Sequence, residues 1–195
     1  VLKAKHAGHP IKPVILSHGG HSVQAEIMVT QGGVEGGAIY ALSKSIRTAI
    51  EQDGQTTVMM DFKPHIPVEQ IAAILNKSRG RDSFSNYLRK VLGLSPVVIG
   101  LLQEDRNIAH LSRNELAERI KNYPLVLNGV APIDRAISSA GGIALDELDE
   151  NFMLKKIPNT YAIGEMLDWE APTGGYLLQA TFSMAVWLSN RIPNH

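Results

Sequence analysis

Residues 67–121 carry the spacing of four consecutive helices, at 67–79, 83–92, 95–104 and 112–121, and the sequence on both sides reads as strand. No other feature constrains the fold as strongly. A chain that leaves strand pattern, builds a helical block and returns to strand pattern closes most simply if the flanking strands share one sheet. Ahead of the block, 10–18 (PIKPVILSH) and 21–30 (HSVQAEIMVT) are two strands, the second alternating Val23, Ala25, Ile27 and Val29. Gly19-Gly20 between them is a hairpin signal. The loop Gly32 to Gly37 leads to a helix at 38–52, with Ile39, Leu42, Ile46 and Ile50 at helical spacing and Asp53-Gly54 as its stop. A strand at 56–62 precedes the block. Pro67 suits an early helix position, and Ser112 with Glu115 is a capping-box signature. From 122 the strand pattern resumes in YPLVLNG. TYAIG at 160–164 reads as a short buried strand, and 174–190 as a helix with Leu177, Thr181, Met184 and Leu188 on one face. The pattern is α+β.

Composition narrows the function classes. The 195 residues carry 19 Lys and Arg against 19 Asp and Glu, and this balance argues against nucleic-acid binding through bulk charge. No apolar run reaches membrane-spanning length, and the start VLKAKHAGHP lacks the apolar core of a secretory signal. The absence of cysteine rules out disulfides, thiolate catalysis and Cys-ligated metals, and makes a cytoplasmic setting the simple expectation. Residue 1 is Val, which fits a piece of a longer protein.

Four stretches could carry chemistry. In GEMLDWEAPTGGYLLQA (164–180) a short strand ends at Gly164, and a loop opens a helix near Gly174. The N–H groups at a helix start favour an anionic or carbonyl-bearing ligand. Gly174 and Gly175 permit close backbone approach, Thr173 can cap the helix, and Glu165 can accept hydrogen bonds from a polyol. A plain capped helix with solvated acids fits the same residues. Ser138-Ser139-Ala140-Gly141-Gly142 permits a tight turn beside a flat ligand, or an ordinary turn. His6 and His9, like His18 and His21, stand three apart; surface histidines explain them as well as a metal does. Lys77-Ser78-Arg79-Gly80-Arg81, followed by Tyr87, Arg89 and Lys90, could meet phosphate or be a solvated helix connection. No dinucleotide, phosphate-loop, nucleophile-elbow or zinc-protease motif occurs.

Taken together, AISSAGGIALDELD and NTYAIGEMLDWEAPTGGYLLQATFSMA resemble the C-terminal signature of the BaiN/YhiN-like bacterial flavoproteins. These are often labelled NAD(P)/FAD-dependent or "aminoacetone oxidase"-type oxidoreductases. DFKPHIPVEQIAAIL, SRGRDSFSNYLRKVLGL and VTQGGVEGGAIYALS look familiar in the same family, so the likeness spans essentially the whole chain. The resemblance implies a small β-barrel with an inserted helical block, plus the C-terminal strand and helix of a two-part FAD-binding domain. Its segments would be a barrel part with one helix at 1–65, the helical insert at 66–121, a return to the barrel at 122–138 and the FAD-domain part at 139–195. The N-terminal Rossmann segment of the same protein, which holds the FAD pyrophosphate in the family, would lie outside this chain. Gly164 and Glu165 would end the last strand of the FAD domain, with Glu165 facing the ribityl chain. Gly174, Gly175, Tyr176 and Leu177 would begin the last helix at the pyrimidine edge, while Gly141 and Gly142 would line the flavin or the route to it. Asp168 would anchor the loop. Asn159 stands where many relatives have Gly, and Leu178 where the wider family often has Asn.

The activity so implied passes hydride equivalents between NAD(P)H and a small organic molecule through flavin, with no catalytic acid or base identified. This chain alone would be inactive. The alternative is a non-catalytic module whose barrel and helical block recognise a partner protein or RNA.

Overall fold

The computed structural model describes residues 2–136, 138–171 and 174–192. Packing divides the chain into two compact units, Val1–Val130 and Ala131–His195.

The first unit is built on a curled, five-stranded antiparallel sheet. After a short helix α1 (Leu2–His6) come β1 (Pro10–His18) and β2 (His21–Val29), which pair around Gly19-Gly20. Both glycines have positive φ, as the tight hairpin turn requires. A two-residue strand β3 (Val34–Glu35) adds to the edge of β2. Helices α2 (Gly37–Ala41) and α3 (Ser43–Asp53) follow, then β4 (Thr56–Asp61). The block consists of α4 (Val68–Ile74), α5 (Phe84–Leu92), α6 (Pro96–Glu104) and α7 (Arg113–Lys121). Strand β5 (Tyr123–Leu127) then pairs with β4 from Thr56–Leu127 to Met60–Tyr123, giving the order β3-β2-β1-β4-β5. The strands on either side of the block do share one sheet. The α+β class, with a barrel-like sheet and an inserted helical block, is the observed architecture.

One core joins sheet and block. Val14, Leu16, Ile27, Val58 and Met60 from the strands are fully buried in the same cluster as Ile71, Leu88, Leu102 and Ile120 from the helices. Two-residue spacing selects the inward face of each strand, and three- or four-residue spacing the inward face of each helix. Polar anchors fix the joint. The Tyr87 hydroxyl donates to Leu75 O at 2.7 Å, and the Tyr123 hydroxyl to Leu101 O at 2.9 Å. The Lys121 ammonium meets the Asp61 carboxylate and also donates to Lys63 O at 3.0 Å. Ser83, Ser95 and Ser112 cap α5, α6 and α7, and Ser112 with Glu115 completes the capping box.

Two helices differ from the sequence expectation. The helix expected over 38–52 is broken at Leu42 (φ −104, ψ 6), which ends α2 and starts α3. Ala38, Leu42 and Ile46 are all buried across this bend. The helix expected over 67–79 stops near Leu75. Beyond it the run Asn-Lys-Ser-Arg-Gly-Arg-Asp-Ser offers no apolar side chain to bury, and Gly80 adopts φ +55.

The paired histidines are not gathered. His6 and His9 meet edge to face at 5.9 Å. His18 holds Ser45 Oγ and Thr56 Oγ1, each at 2.9 Å, through its two ring nitrogens. His6 is buried, and burial, then the Lys5 and His9 charges, hold its pKa below the usual 6.5. Protonation therefore favours the unfolded chain. His6 costs no stability above pH 6.5, and stability falls as pH drops below 6.5 toward its depressed folded value. The urea midpoint at pH 5.5 is expected below that at pH 7.5, with His6→Gln reducing the difference. An unchanged difference in that variant would remove His6 as the cause.

The second unit is mostly turns around one helix, α8 (Tyr176–Ser189). Its small core is Leu148, Ala162 and Leu167, with Ile143, Phe152, Leu154, Trp169 and Met184 packed against it. TYAIG is not a strand. Tyr161 makes an isolated bridge to Met153, and Gly164–Met166 is a 3-10 turn. A strand exists only with a continuous ladder partner, and among the described residues this segment has single bridges. Among the described residues no helix is long and apolar enough to cross a membrane.

Candidate functional site

Two of the glycine-bearing segments come together in the second unit. The 138–143 turn lies along 164–168: Ile143 N–H donates to Met166 O and Asp168 N–H to Ile143 O, both at 2.8 Å. Ile143 and Leu167 form a parallel bridge. Glu165 Oε1 accepts the Ser139 N–H at 3.3 Å, so this exposed carboxylate ties the two segments. Gly142 is required by the contact. A Cβ there would lie 2.5 Å from Met166 O and 2.9 Å from Leu167 C, and its φ of +152 is one that side chains avoid. Gly141 (φ +95) instead faces open space.

Gly164 carries the arrangement to the helix. Its φ is +70, and a Cβ there would lie 3.1 Å from Thr181 Cγ2. The Gly164 N–H points at Met184 Sδ (3.4 Å), and its carbonyl accepts from Trp169 Nε1 (3.3 Å). Thr181, Met184 and Leu188 thus form the inward face of α8, as the spacing predicts. Gly174 (φ +108) and Gly175 (φ +89) open α8, and Gly175 is its N-cap, with no side chain among the described residues bonded to the first turn. Tyr176 is exposed and Leu177 half-buried. Thr173, the expected cap, lies outside the described residues. Asp168 anchors the loop through its backbone N–H. Asn159 has φ +59, the left-handed conformation that Gly or Asn accepts.

The opposite face of α8 is exposed and mostly apolar, with Gln179 and Ser183 as polar positions on it. Tyr176, Leu178, Phe182 and Val186 are each about 60 % exposed. Trp187, under the Arg191 guanidinium at 3.2 Å, continues the stripe. Sequence periodicity found the inward face of α8. It missed the outer one, whose signal was the absence of any charged residue in 171–190.

A curled antiparallel sheet with a helical block returned to it, as seen here, defines a barrel-and-helix module. The family model for the HI0933-like protein barrel and H2TH domain matches residues 1–138, and the chain belongs to that family. Two curated relatives are similar at lower identity. One is a 3-dehydro-bile acid delta(4,6)-reductase of Clostridium scindens, 23% identical over 167 residues, covering 79% of this chain and 40% of that protein. Another is a ribosomal RNA dihydrouridine synthase of Escherichia coli, 24% identical over 188 residues, covering 92% of this chain and 45% of that protein. The chain therefore spans less than half the length of either relative.

Proposed function

We propose that the complete protein is an FAD-dependent reductase, to which this chain contributes the barrel, the helical block and the flavin-facing end of the cofactor domain. The convergence of Gly141-Gly142 with Gly164-Glu165, beside a helix that opens at Gly175, carries the reading. The N–H groups at the start of a fourteen-residue helix suit the carbonyl-rich pyrimidine edge of a flavin. Glu165 suits the ribityl hydroxyls.

The donor set fits that end of FAD and not its diphosphate. Lys155 donates to Asp146 O, Lys156 pairs with Glu147, and Arg191 stacks on Trp187, so these three cations of the unit are engaged. The diphosphate belongs, in this reading, to a Rossmann segment of the same protein that covers the bare face of α8. Exposed apolar stripes of this kind mark packing surfaces.

When bound, FAD would be reduced by NAD(P)H and would then, as reduced flavin, pass the hydride on. The relatives' names suggest the acceptor: a carbon–carbon double bond conjugated to a carbonyl, as in a dienone steroid or a uracil ring. The residues of this chain position and enclose; no acid or base is assigned among them.

Glu165→Ala in the complete protein is expected to weaken FAD binding roughly tenfold, the worth of one hydrogen bond to a charged group. Glu165→Gln should retain more. Flavin-to-protein ratio after gel filtration checks both. Equal ratios in all three proteins would remove the ribityl assignment, and a complete protein without flavin would remove the whole reading.

A further inference from the structure

The balanced charge of the chain hides a division. Val1–Val130 holds 15 Lys and Arg against 11 Asp and Glu, and Ala131–His195 holds 4 against 8, so the units carry +4 and −4. The surplus of the first unit is local. Residues 77–90 contain Lys77, Arg79, Arg81, Arg89 and Lys90 against Asp82 alone, and the rest of the unit is neutral.

The fold concentrates this charge at one turn. Between α4 and α5, Lys77, Ser78, Arg79, Gly80 and Arg81 are all exposed. Asp82 N–H donates to Arg79 O at 3.1 Å, and the Gly80 N–H to Ser78 Oγ at 3.3 Å, which closes a tight turn with Gly80 at φ +55 between the two arginines. The single acid is already engaged: Lys90 Nζ contacts both Asp82 oxygens, at 2.9 and 2.8 Å. Arg113, at the start of α7, reaches the same turn and donates to the neutral Asn76 Oδ1 at 2.7 Å. Among the described residues no carboxylate pairs with Lys77, Arg79, Arg81 or Arg113. In contrast, Arg119 and Lys121 elsewhere in the block each hold an aspartate.

We propose that this turn, Lys77 to Arg81 with Arg113 beside it, binds the phosphate backbone of RNA. Guanidinium forks match phosphodiester oxygens, and unpaired cations release counterions on contact. A lipid surface fits less well. Residues 76–83 include no apolar side chain to enter an interface, and Ile74 and Phe84 on either side pack against the core. The similarity to a ribosomal RNA dihydrouridine synthase points the same way. The proposal needs only the first unit and stands whether or not the flavin reading does.

Fluorescence anisotropy of the full chain with a labelled mixed-sequence RNA hairpin tests it. Three to four phosphate contacts predict that affinity falls roughly 10–100-fold between 50 and 200 mM KCl. Lys77→Gln/Arg79→Gln/Arg81→Gln should abolish binding at 100 mM KCl. A control with the same charge removed elsewhere, Lys5→Gln/Lys12→Gln/Lys44→Gln, should bind within about twofold of the parent, since charges outside the phosphate contacts are screened by salt. All six positions are exposed, and circular dichroism confirms the fold of each variant. Absence of binding at 50 mM KCl overturns the proposal. So does equal loss in both triple variants, which would mean bulk charge, or binding to phosphatidylserine vesicles with none to RNA.

Discussion

Gly142→Ala is expected to destabilise the C-terminal unit by about 3 kcal/mol, the sum of an unfavourable backbone conformation and a contact that only a shift can relieve. The added Cβ would meet three backbone atoms of one segment, Met166 O, Leu167 C and Asp168 N, and backbone yields less readily than a side-chain tip. Relief would separate the 138–143 turn from 164–168, and with it Glu165 from Ser139. Flavin retention in the complete protein should fall along with stability. Gly141→Ala supplies the comparison. It meets open space at φ +95, so only the conformational cost of about 1 kcal/mol remains. Both tryptophans, Trp169 and Trp187, lie in this unit, so urea unfolding followed by tryptophan fluorescence reports it directly. If the two variants share one midpoint, the close approach at Gly142 is not what holds the segments together.

Ile120→Ala should cost the first unit about 3 kcal/mol, in the range for emptying a fully buried aliphatic site. Ile120 is fully enclosed where block meets sheet. Its carbonyl accepts the Phe62 N–H at 3.1 Å, and the Phe62 ring lies tilted against Tyr123 at 5.5 Å. The cavity would open beside both strands that flank the block. A loss of that size lowers the melting temperature by roughly 10 °C, read by far-ultraviolet circular dichroism. A change below about 1 kcal/mol would mean that the block collapses into the space, and that sheet and block are packed less tightly than their shared core implies.

Most of the first unit was legible in the sequence because its signals are local and periodic. Alternation in β2, the Gly19-Gly20 turn and the Ser112–Glu115 box each name their own structure. That the strands flanking the block belong to one sheet was legible for a different reason: strand patterns around an inserted block have few other ways to be satisfied, while which strands pair came only from the structure. The bend at Leu42 was not, since an uninterrupted helical spacing passes through it. In the second unit the glycines were visible, but their meeting was not. Gly142 and Met166 are joined by backbone contacts that leave no periodic trace, and TYAIG looked like a strand because strand propensity does not reveal whether a partner is present. The charge surplus at 77–90 escaped a whole-chain count because 131–195 cancels it.

The hydrogen bonds between β4 and β5 also set an order of events. Met60 and Tyr123 are neighbours in space and 63 positions apart in sequence, whereas β1 and β2 meet across two glycines. Long separations carry an entropic cost that short ones avoid, and contacts that close late slow the search. Helices with their own serine caps can form early and draw the two distant ends toward each other. The helical block would thus act as the clasp of the sheet during folding, with strand β5 expected to be fastened last.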